Sequence, residues 1–433
     1  MAAAQVKWNP KIAKFRAMAE RKLDMKDIEV KPSSRLRCIN SGSTVINMLV
    51  GGTRLDDGSF VCPGWPRGKI VEIFGRESSG KSTVAMMAMG QAILETGGAG
   101  IYVDLEHAVM DSYARKLGVD FAGGGNATRI APHTAEETEA AVNAAALAGI
   151  DLVVVDSVAA MVSRREVMRD VTNEKEKLGI GELARMMSNW MPKLQDIIAR
   201  TGTCVIFLNQ TRDKIGAMGY SEEAKKSTPG GNALKFYASN RILLTPKMSA
   251  KAKIYNPIIK DYEEVPIATD ILVKNVKNKI DARQGHTGLI TIRYGVGIDE
   301  MRTMLNVADA YKIVEAKKNK NKTVSYLFKS PSSGEVVEAV GIEKFRFAMS
   351  KKPDTFAEMQ SLCIERILQG YRAIDDEQLA NLAEDAVYTK DGAQDDDEDG
   401  GPGPSFVDPS EMGIEEDDGS AAADTPSVGA EDV

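Results

Sequence analysis

Short apolar runs separated by helical stretches dominate the chain from about Ser41 onward. Ile70–Phe74, Gly100–Leu105, Leu152–Asp156, Cys204–Asn209, Arg241–Thr245 and Ile271–Lys277 are each brief, apolar and often β-branched. Runs of this kind read as strands buried on both faces. Helical patterning fills 82–95, 111–117, 135–148 and 181–199 between the early ones. The alternation predicts an α/β fold, a mostly parallel central sheet flanked by helices. Arg164–Gly179 and Thr211–Gly231 follow neither period, and long unpatterned loops inside a domain tend to be functional or mobile. Beyond Gly297 the pattern predicts helices over Met301–Ile313, Ile342–Met349 and Thr355–Leu368 and a strand over Thr323–Phe328, a smaller α+β domain spanning 300–390. At the other end, Lys11–Met25 sets Ile12, Phe15, Met18 and Ala19 on one helical stripe, which needs a surface on its own domain or on a neighbouring subunit. The expected organisation is 1–40 helix and linker, 41–299 core, 300–390 small domain and 391–433 tail.

Composition adds an asymmetry. The chain has 433 residues, 43% hydrophobic and 27% charged, with a net charge of −7. Residues 391–433 hold 15 acidic side chains and no basic one, so the rest carries 55 basic and 47 acidic groups, a net +8. A tail of Asp, Glu, Gly, Pro, Ser and Ala cannot bury enough surface to fold and is expected to be disordered. A basic body beside an acidic tail suits contact with a polyanion tuned by the tail; a merely solubilising tail is the bland alternative. No apolar run approaches the roughly 20 residues of a membrane helix, and the first residues lack a signal-peptide pattern. Four scattered cysteines and three distant histidines speak against a zinc site or a disulfide framework and for a reducing compartment.

The chemistry concentrates at Gly75–Thr83, Gly-Arg-Glu-Ser-Ser-Gly-Lys-Ser-Thr, which satisfies G-x-x-x-x-G-K-[ST] through Gly75, Gly80, Lys81 and Ser82. Such a loop cradles phosphates in its backbone N–H groups, with Glu77, Ser78, Ser79 and Thr83 completing the cradle. Lys81 would reach the terminal phosphates and Ser82 would ligate Mg²⁺. Asp156 ends an apolar strand, the expected position for a carboxylate facing Mg²⁺. Asp104 and Glu106, two apart at a strand end, share a face in extended geometry; one could activate water, or both could be a solvated acidic edge. Asn209-Gln210 ends another strand just before the 211–231 loop. An amide there could sense a γ-phosphate, although a buried amide satisfying backbone is the simpler reading of the residues alone.

Together these residues resemble the bacterial RecA recombinase family, bacterial or bacteriophage. The resemblance rests on Gly68–Lys81, Asp104–Ala108, Tyr113–Asp120, Val153–Ala160, Leu183–Ser188, Gly230–Ser239 and Val276–Lys279, in the family's order and near its spacing. It is good over about 35–300, weaker to 370 and only compositional in the tail. It implies an ATP- and Mg²⁺-using protein that forms filaments on single-stranded DNA, pairs it with homologous duplex and exchanges strands in the cytoplasm, with DNA-stimulated ATP hydrolysis. By position it implies Glu106 as catalytic base, Asp156 on the Mg²⁺ side, Gln210 as γ-phosphate sensor and Tyr113 stacked on adenine. Lys277 and Lys279 would reach the neighbouring subunit's ATP, and Phe236 would couple adjacent sites. Ile180, Gly181, Arg185, Arg212, Ile215, Met218, Gly230 and Gly231 would contact DNA from two loops, about 164–181 and 211–231. The chain departs from the family at Met110, usually acidic, at Pro192, usually basic, in the added segment Thr53–Cys62 and in the sequence of Arg169–Gly179. A hexameric DNA helicase on the same core is the alternative; a small-molecule kinase fits the long polar loops less well.

Overall fold

The computed structural model describes residues 35–122, 125–168, 181–213, 226–281, 283–318 and 323–370. The N-terminal helix expected at Lys11–Met25, the segment Arg169–Gly179 with Ile180, the residues Ile215 and Met218, the end of the small domain expected at 300–390 and the tail 391–433 lie outside the described residues. In chain order the elements are β1 (Cys38–Ile39), α1 (Thr44–Gly51), β2 (Trp65–Pro66), β3 (Ile70–Gly75), α2 (Lys81–Thr96), β4 (Gly100–Asp104), α3 (Asp111–Lys116), β5 (Ala127–Ile130) and α4 (Ala135–Leu147). Next come β6 (Leu152–Asp156), α5 (Arg164–Val167), α6 (Glu182–Thr201), β7 (Cys204–Gln210), β8 (Arg212–Asp213), β9 (Lys226–Ser227), α7 (Ala233–Tyr237), β10 (Asn240–Asn256), β11 (Asp261–Asn278), β12 (Thr287–Arg293) and β13 (Gly297–Ile298). The chain continues through α8 (Glu300–Ala310), β14 (Glu315–Lys318), β15 (Val324–Lys329), β16 (Val336–Val340), α9 (Ile342–Ser350) and α10 (Pro353–Gly370).

Nine strands form one sheet in the order β13-β12-β11-β10-β3-β7-β6-β4-β5. The stretch from β10 to β5 is parallel, and β10 to β13 continue it as an antiparallel wing. The central strands are mostly apolar because helices cover both faces; all of β3 and β6 is buried, Glu72 of β3 among them. On one face α2 packs with α1, Tyr102, Val154 and Leu208. On the other, α4 and α6 pack against Val153, Val155 and Phe207. Trp190 of α6 anchors that second core. It is fully buried, meets Phe207 edge-on at 5.6 Å and donates to Asn143 Oδ1 of α4 at 2.9 Å. Trp190→Ala is therefore expected to lower unfolding stability by about 3–5 kcal/mol, read as a shift of the urea midpoint at unchanged slope.

The described residues from 300 on hold three helices and the antiparallel sheet β14-β15-β16. Its buried Met304, Leu305, Phe328, Phe345 and Met359 share one apolar cluster with α1 and α2. Thr44 ties the two further: its N–H donates to Glu300 Oε1 at 2.9 Å, and its hydroxyl accepts from Gln360 at 2.9 Å. β10 and β11 run well past the sequence expectation, 17 and 18 residues instead of the short runs at 241–245 and 271–277. Their outer halves pair only with each other and are largely exposed, so Lys, Ala, Ser and Glu there give no buried-strand signal.

Candidate nucleotide site

The loop after β3 takes a shape that its glycines require. A Cβ on Gly75 would stand 2.5 Å from the Leu244 carbonyl oxygen, and Gly80 precedes α2 at φ +86°. Even Ser78 is left-handed, at φ +57°. This turn brings the start of the 16-residue α2, with its unpaired N–H groups and positive dipole end, to a cavity of about 460 Å³. Glu77, Ser78, Ser79, Gly80, Lys81, Ser82 and Thr83 all line it. Lys81 is buried, and Nζ donates to the carbonyl oxygens of Gly75 (3.3 Å) and Arg76 (2.8 Å). Burial pulls its pKa below the ordinary lysine value, opposed by Asp156, Glu106 and Glu77. Ser79 Oγ is buried with no hydrogen-bond partner. A polyphosphate would meet both needs: a new partner for the retracted ammonium and an acceptor for the orphaned hydroxyl.

Three strand ends converge on the same cavity. Ser82 Oγ donates to Asp156 Oδ2 at 2.7 Å, and Tyr102 Oη donates to the same oxygen at 2.6 Å. Burial raises the Asp156 pKa, while those two donors counter it. Ser82 and Asp156 thus stand together where a cation bridging phosphates would sit. No group of three or more His, Cys, Asp or Glu that could hold a metal occurs among the described residues. That donor set suits Mg²⁺, which keeps waters and phosphate oxygens as most of its ligands.

Asp104 and Glu106 part company. β4 ends at Asp104, and the chain bends before Glu106, so the extended geometry that would align their side chains is absent. Asp104 is buried and accepts from the N–H groups of Ala108 (3.2 Å) and Val109 (3.4 Å), holding the bend together. Glu106 instead faces the cavity, where its Oε1 accepts from Ser157 Oγ at 2.5 Å and Gln210 Nε2 at 3.1 Å. The Asn209-Gln210 pair divides likewise. Buried Asn209 donates to Glu72 Oε1 (3.0 Å) and to the Pro229 carbonyl (3.1 Å), the structural role read for a strand-end amide, and only Gln210 reaches the site.

Tyr113 lines the cavity, its hydroxyl 3.0 Å from Thr83 Oγ1. The opposite wall was not legible in the sequence: Thr269, Ile271, Ile292, Tyr294 and Gly295, from β11, β12 and the turn after β12. Tyr294 Oη and Thr269 Oγ1 lie 2.5 Å apart. A Tyr-Gly turn after an apolar strand was the available signal, but the wing must fold back before it gains meaning.

Lys277 and Lys279 do not enter the cavity. Lys277 Nζ donates to the carbonyls of Lys235 (2.5 Å) and Phe236 (2.9 Å), and Lys279 Nζ to Phe236 (3.1 Å), at the end of α7. Phe236 itself is 69% exposed. Burial, then Lys279 and Arg241, bring the Lys277 pKa from 10.5 down to about 8. Because the folded value lies below the unfolded one, this group disfavours folding while it is charged, and stability rises as pH climbs from about 8 toward 10.5. Following the Lys277 ε-carbon by NMR, assigned with Lys277→Arg, should give a midpoint near pH 8 in the isolated chain.

Of the DNA-facing candidates, Gly181, Arg185, Gly230 and Gly231 gather at the start of α6. Gly181 precedes the helix at φ +90° and Arg185 is exposed one turn in. A Cβ on Gly231 would stand 2.7 Å from Ala184 Cβ, so the glycine lets the loop's end lie against that turn. Arg212 lies on β8, which pairs with β9. Pro192 is exposed inside α6, and Met110 is 68% exposed just before α3.

A glycine-rich strand–loop–helix at the carboxyl ends of a parallel sheet, with Lys81, Ser82 and Asp156 in one cavity, defines a P-loop nucleoside-triphosphatase core. Residues 24–299 match the RecA N-terminal domain family. Proteins named "Protein RecA" from Streptococcus pneumoniae strains Hungary19A-6 and CGSP14 are each 32% identical over 351 residues, 81% of this chain and 80% of the relative. The chain belongs to the RecA family. No helix among the described residues is long and apolar enough to cross a membrane.

Proposed function

We propose that this protein is an ATP-dependent recombinase that assembles on single-stranded DNA, pairs it with homologous duplex and exchanges strands in the cytoplasm, hydrolysing ATP as the filament turns over. The observation carrying the reading is the grip of Ser157 and Gln210 on Glu106. Gln210 closes β7 and opens the 211–231 segment, so one side chain touches both the proposed water-activating carboxylate and the root of a proposed DNA loop. Lys81 binds and orients the γ-phosphate, Glu106 takes the proton from water, Gln210 reports the γ-phosphate, and Tyr113 stacks on the base. Ser82, with Asp156 behind it, would hold Mg²⁺, which would supply positive charge against the phosphates. Arg185, Arg212 and the glycines at 181, 230 and 231 meet the DNA backbone, joined by Ile180, Ile215 and Met218. Lys277 and Lys279 complete a neighbouring subunit's site, and residues 1–40 help join subunits.

ATPase rate with and without single-stranded DNA tests this reading, together with electron microscopy in the presence of a non-hydrolysable ATP analogue. DNA-stimulated turnover and long helical filaments support it; closed rings favour a hexameric helicase, and phosphoryl transfer to a metabolite without DNA stimulation a kinase. Deleting 391–433 should speed loading onto duplex DNA, because 15 like charges compete with phosphates for the basic body. Duplex binding unchanged across a salt series would contradict that role for the tail.

A further inference from the structure

The added segment Thr53–Cys62 takes no part in the nucleotide site. It turns back on itself through Leu55 N–H to Ser59 O (2.7 Å), and Thr53 moors its start to Asp281 through N–H (2.9 Å) and Oγ1 (2.6 Å). Its end lies along the first described strand. Leu36 N–H donates to Val61 O at 2.9 Å, Cys38 pairs with Pro66, and Ile39 pairs with Trp65. At Gly64 the two backbones are so close that a Cβ would stand 2.2 Å from Ile39 O. This seam holds Cys38 and Cys62. Cys62 is fully buried, with Sγ 3.5 Å from Gly64 O. Cys38 is only half-buried and lines an open cleft of about 690 Å³ with Arg35, Arg37 and Arg67.

Charge and burial separate the two thiols. The Cys62 thiol is the strongest influence on Cys38 and holds its pKa below the ordinary thiol value; burial opposes this and Arg35 assists. Cys62 is pushed far up, first by Cys38 and then by burial. Through this backbone seam a half-exposed cysteine lies near a fully buried one, the arrangement of a peroxide-reactive cysteine and its resolving cysteine. Cys204 and Cys363 are buried, and burial pushes each thiol up to about 12.

We propose that Cys38 and Cys62 form a redox-sensing pair, in which Cys38 reacts with hydrogen peroxide at the arginine-lined cleft and Cys62 resolves the product to an intrachain disulfide. In the first step the Cys38 thiolate attacks one peroxide oxygen. The O–O bond breaks, hydroxide leaves and takes a proton from solvent as water, and the sulfur, oxidised by two electrons, becomes a sulfenic acid. In the second, the Cys62 sulfur attacks that sulfur, the S–O bond breaks, and the hydroxyl leaves with the Cys62 proton as water. Two thiols and one peroxide give one disulfide and two waters, and a dithiol reductant reverses the change. The pair is independent of the nucleotide reading.

The test is peroxide treatment of the full chain, quenching with an alkylating agent and peptide mapping by mass spectrometry. The expected product is a single disulfide, Cys38–Cys62, with Cys204 and Cys363 still reduced and alkylated only after unfolding. Cys62→Ser should accumulate a dimedone-reactive sulfenic acid on Cys38, and Cys38→Ser should form no disulfide. In the untreated wild-type chain, iodoacetamide should label Cys38 at least about 10-fold faster than Cys204. Cys38 that stays reduced under excess peroxide, or a Cys38 sulfenic acid that persists equally in wild type and Cys62→Ser, would overturn the proposal.

Discussion

Lys81→Ala is expected to abolish ATP turnover, with and without DNA, while leaving the fold intact. The ammonium sits at the mouth of the loop, held by the carbonyls of Gly75 and Arg76 and facing the carboxylates of Asp156 and Glu106. It is a buried cation whose pKa burial pulls down, so its removal relieves a desolvation cost and little stability should be lost. In the proposed reaction, charge developing on the γ-phosphoryl oxygens loses the ammonium of the phosphate loop. Loss of one preorganised partner in such a site costs about 10²–10³ in rate, roughly 2.7–4 kcal/mol, and a full positive charge belongs at or above the upper end. Phosphate release assayed beside a thermal melt separates chemistry from folding: an unchanged melt with no turnover is the expected pair of results. Turnover within about 3-fold of wild type, far short of the loss expected for such a partner, would remove Lys81 from the chemistry.

The sheet's centre was readable because burial on both faces leaves an unambiguous trace. Ile70–Gly75, Leu152–Asp156 and Cys204–Gln210 were found almost to the residue. Ala127–Ile130 escaped because it is the sheet's edge strand and only Ala127 is buried. The outer halves of β10 and β11 escaped for a related reason: a ribbon open to solvent on most sides needs no apolar pattern. At the site, Lys81 and Ser82 were legible because the phosphate loop's geometry dictates the residue types that open α2. Two distinctions were not legible in the local pattern and were implied only by the family resemblance, which singled out Glu106 and Gln210. That Asp104 caps a bend while Glu106 faces the cavity depends on where β4 stops, and that Gln210 rather than Asn209 reaches inward depends on alternation along β7. The wall of Thr269, Tyr294 and Gly295 needed the antiparallel wing to join the sheet through β10 beside β3, a pairing distant in sequence.

Glu106→Gln should separate binding from hydrolysis. A general base contributes about 10²–10⁴ in rate, so DNA-stimulated turnover should fall within that range. Glutamine is nearly isosteric, and its carbonyl oxygen can still accept from Ser157 and from Gln210, the two donors that hold Glu106 now. Gln210 would therefore keep its place and still respond to the γ-phosphate, and affinity for single-stranded DNA with ATP should remain near wild type. The same variant with ADP should match the DNA affinity of wild type with ADP. Filament lifetime on DNA with ATP should lengthen in proportion to the lost turnover, because the proposed function couples release to hydrolysis. Gln210→Ala should show the converse: it leaves the carboxylate in place but removes one of its two donors and the link to the 211–231 segment, so the ATP–ADP difference in DNA affinity collapses. Fluorescence anisotropy of a labelled oligonucleotide, run with both nucleotides beside phosphate release, distinguishes the two variants. Wild-type hydrolysis by Glu106→Gln with DNA present would show that another group activates the water.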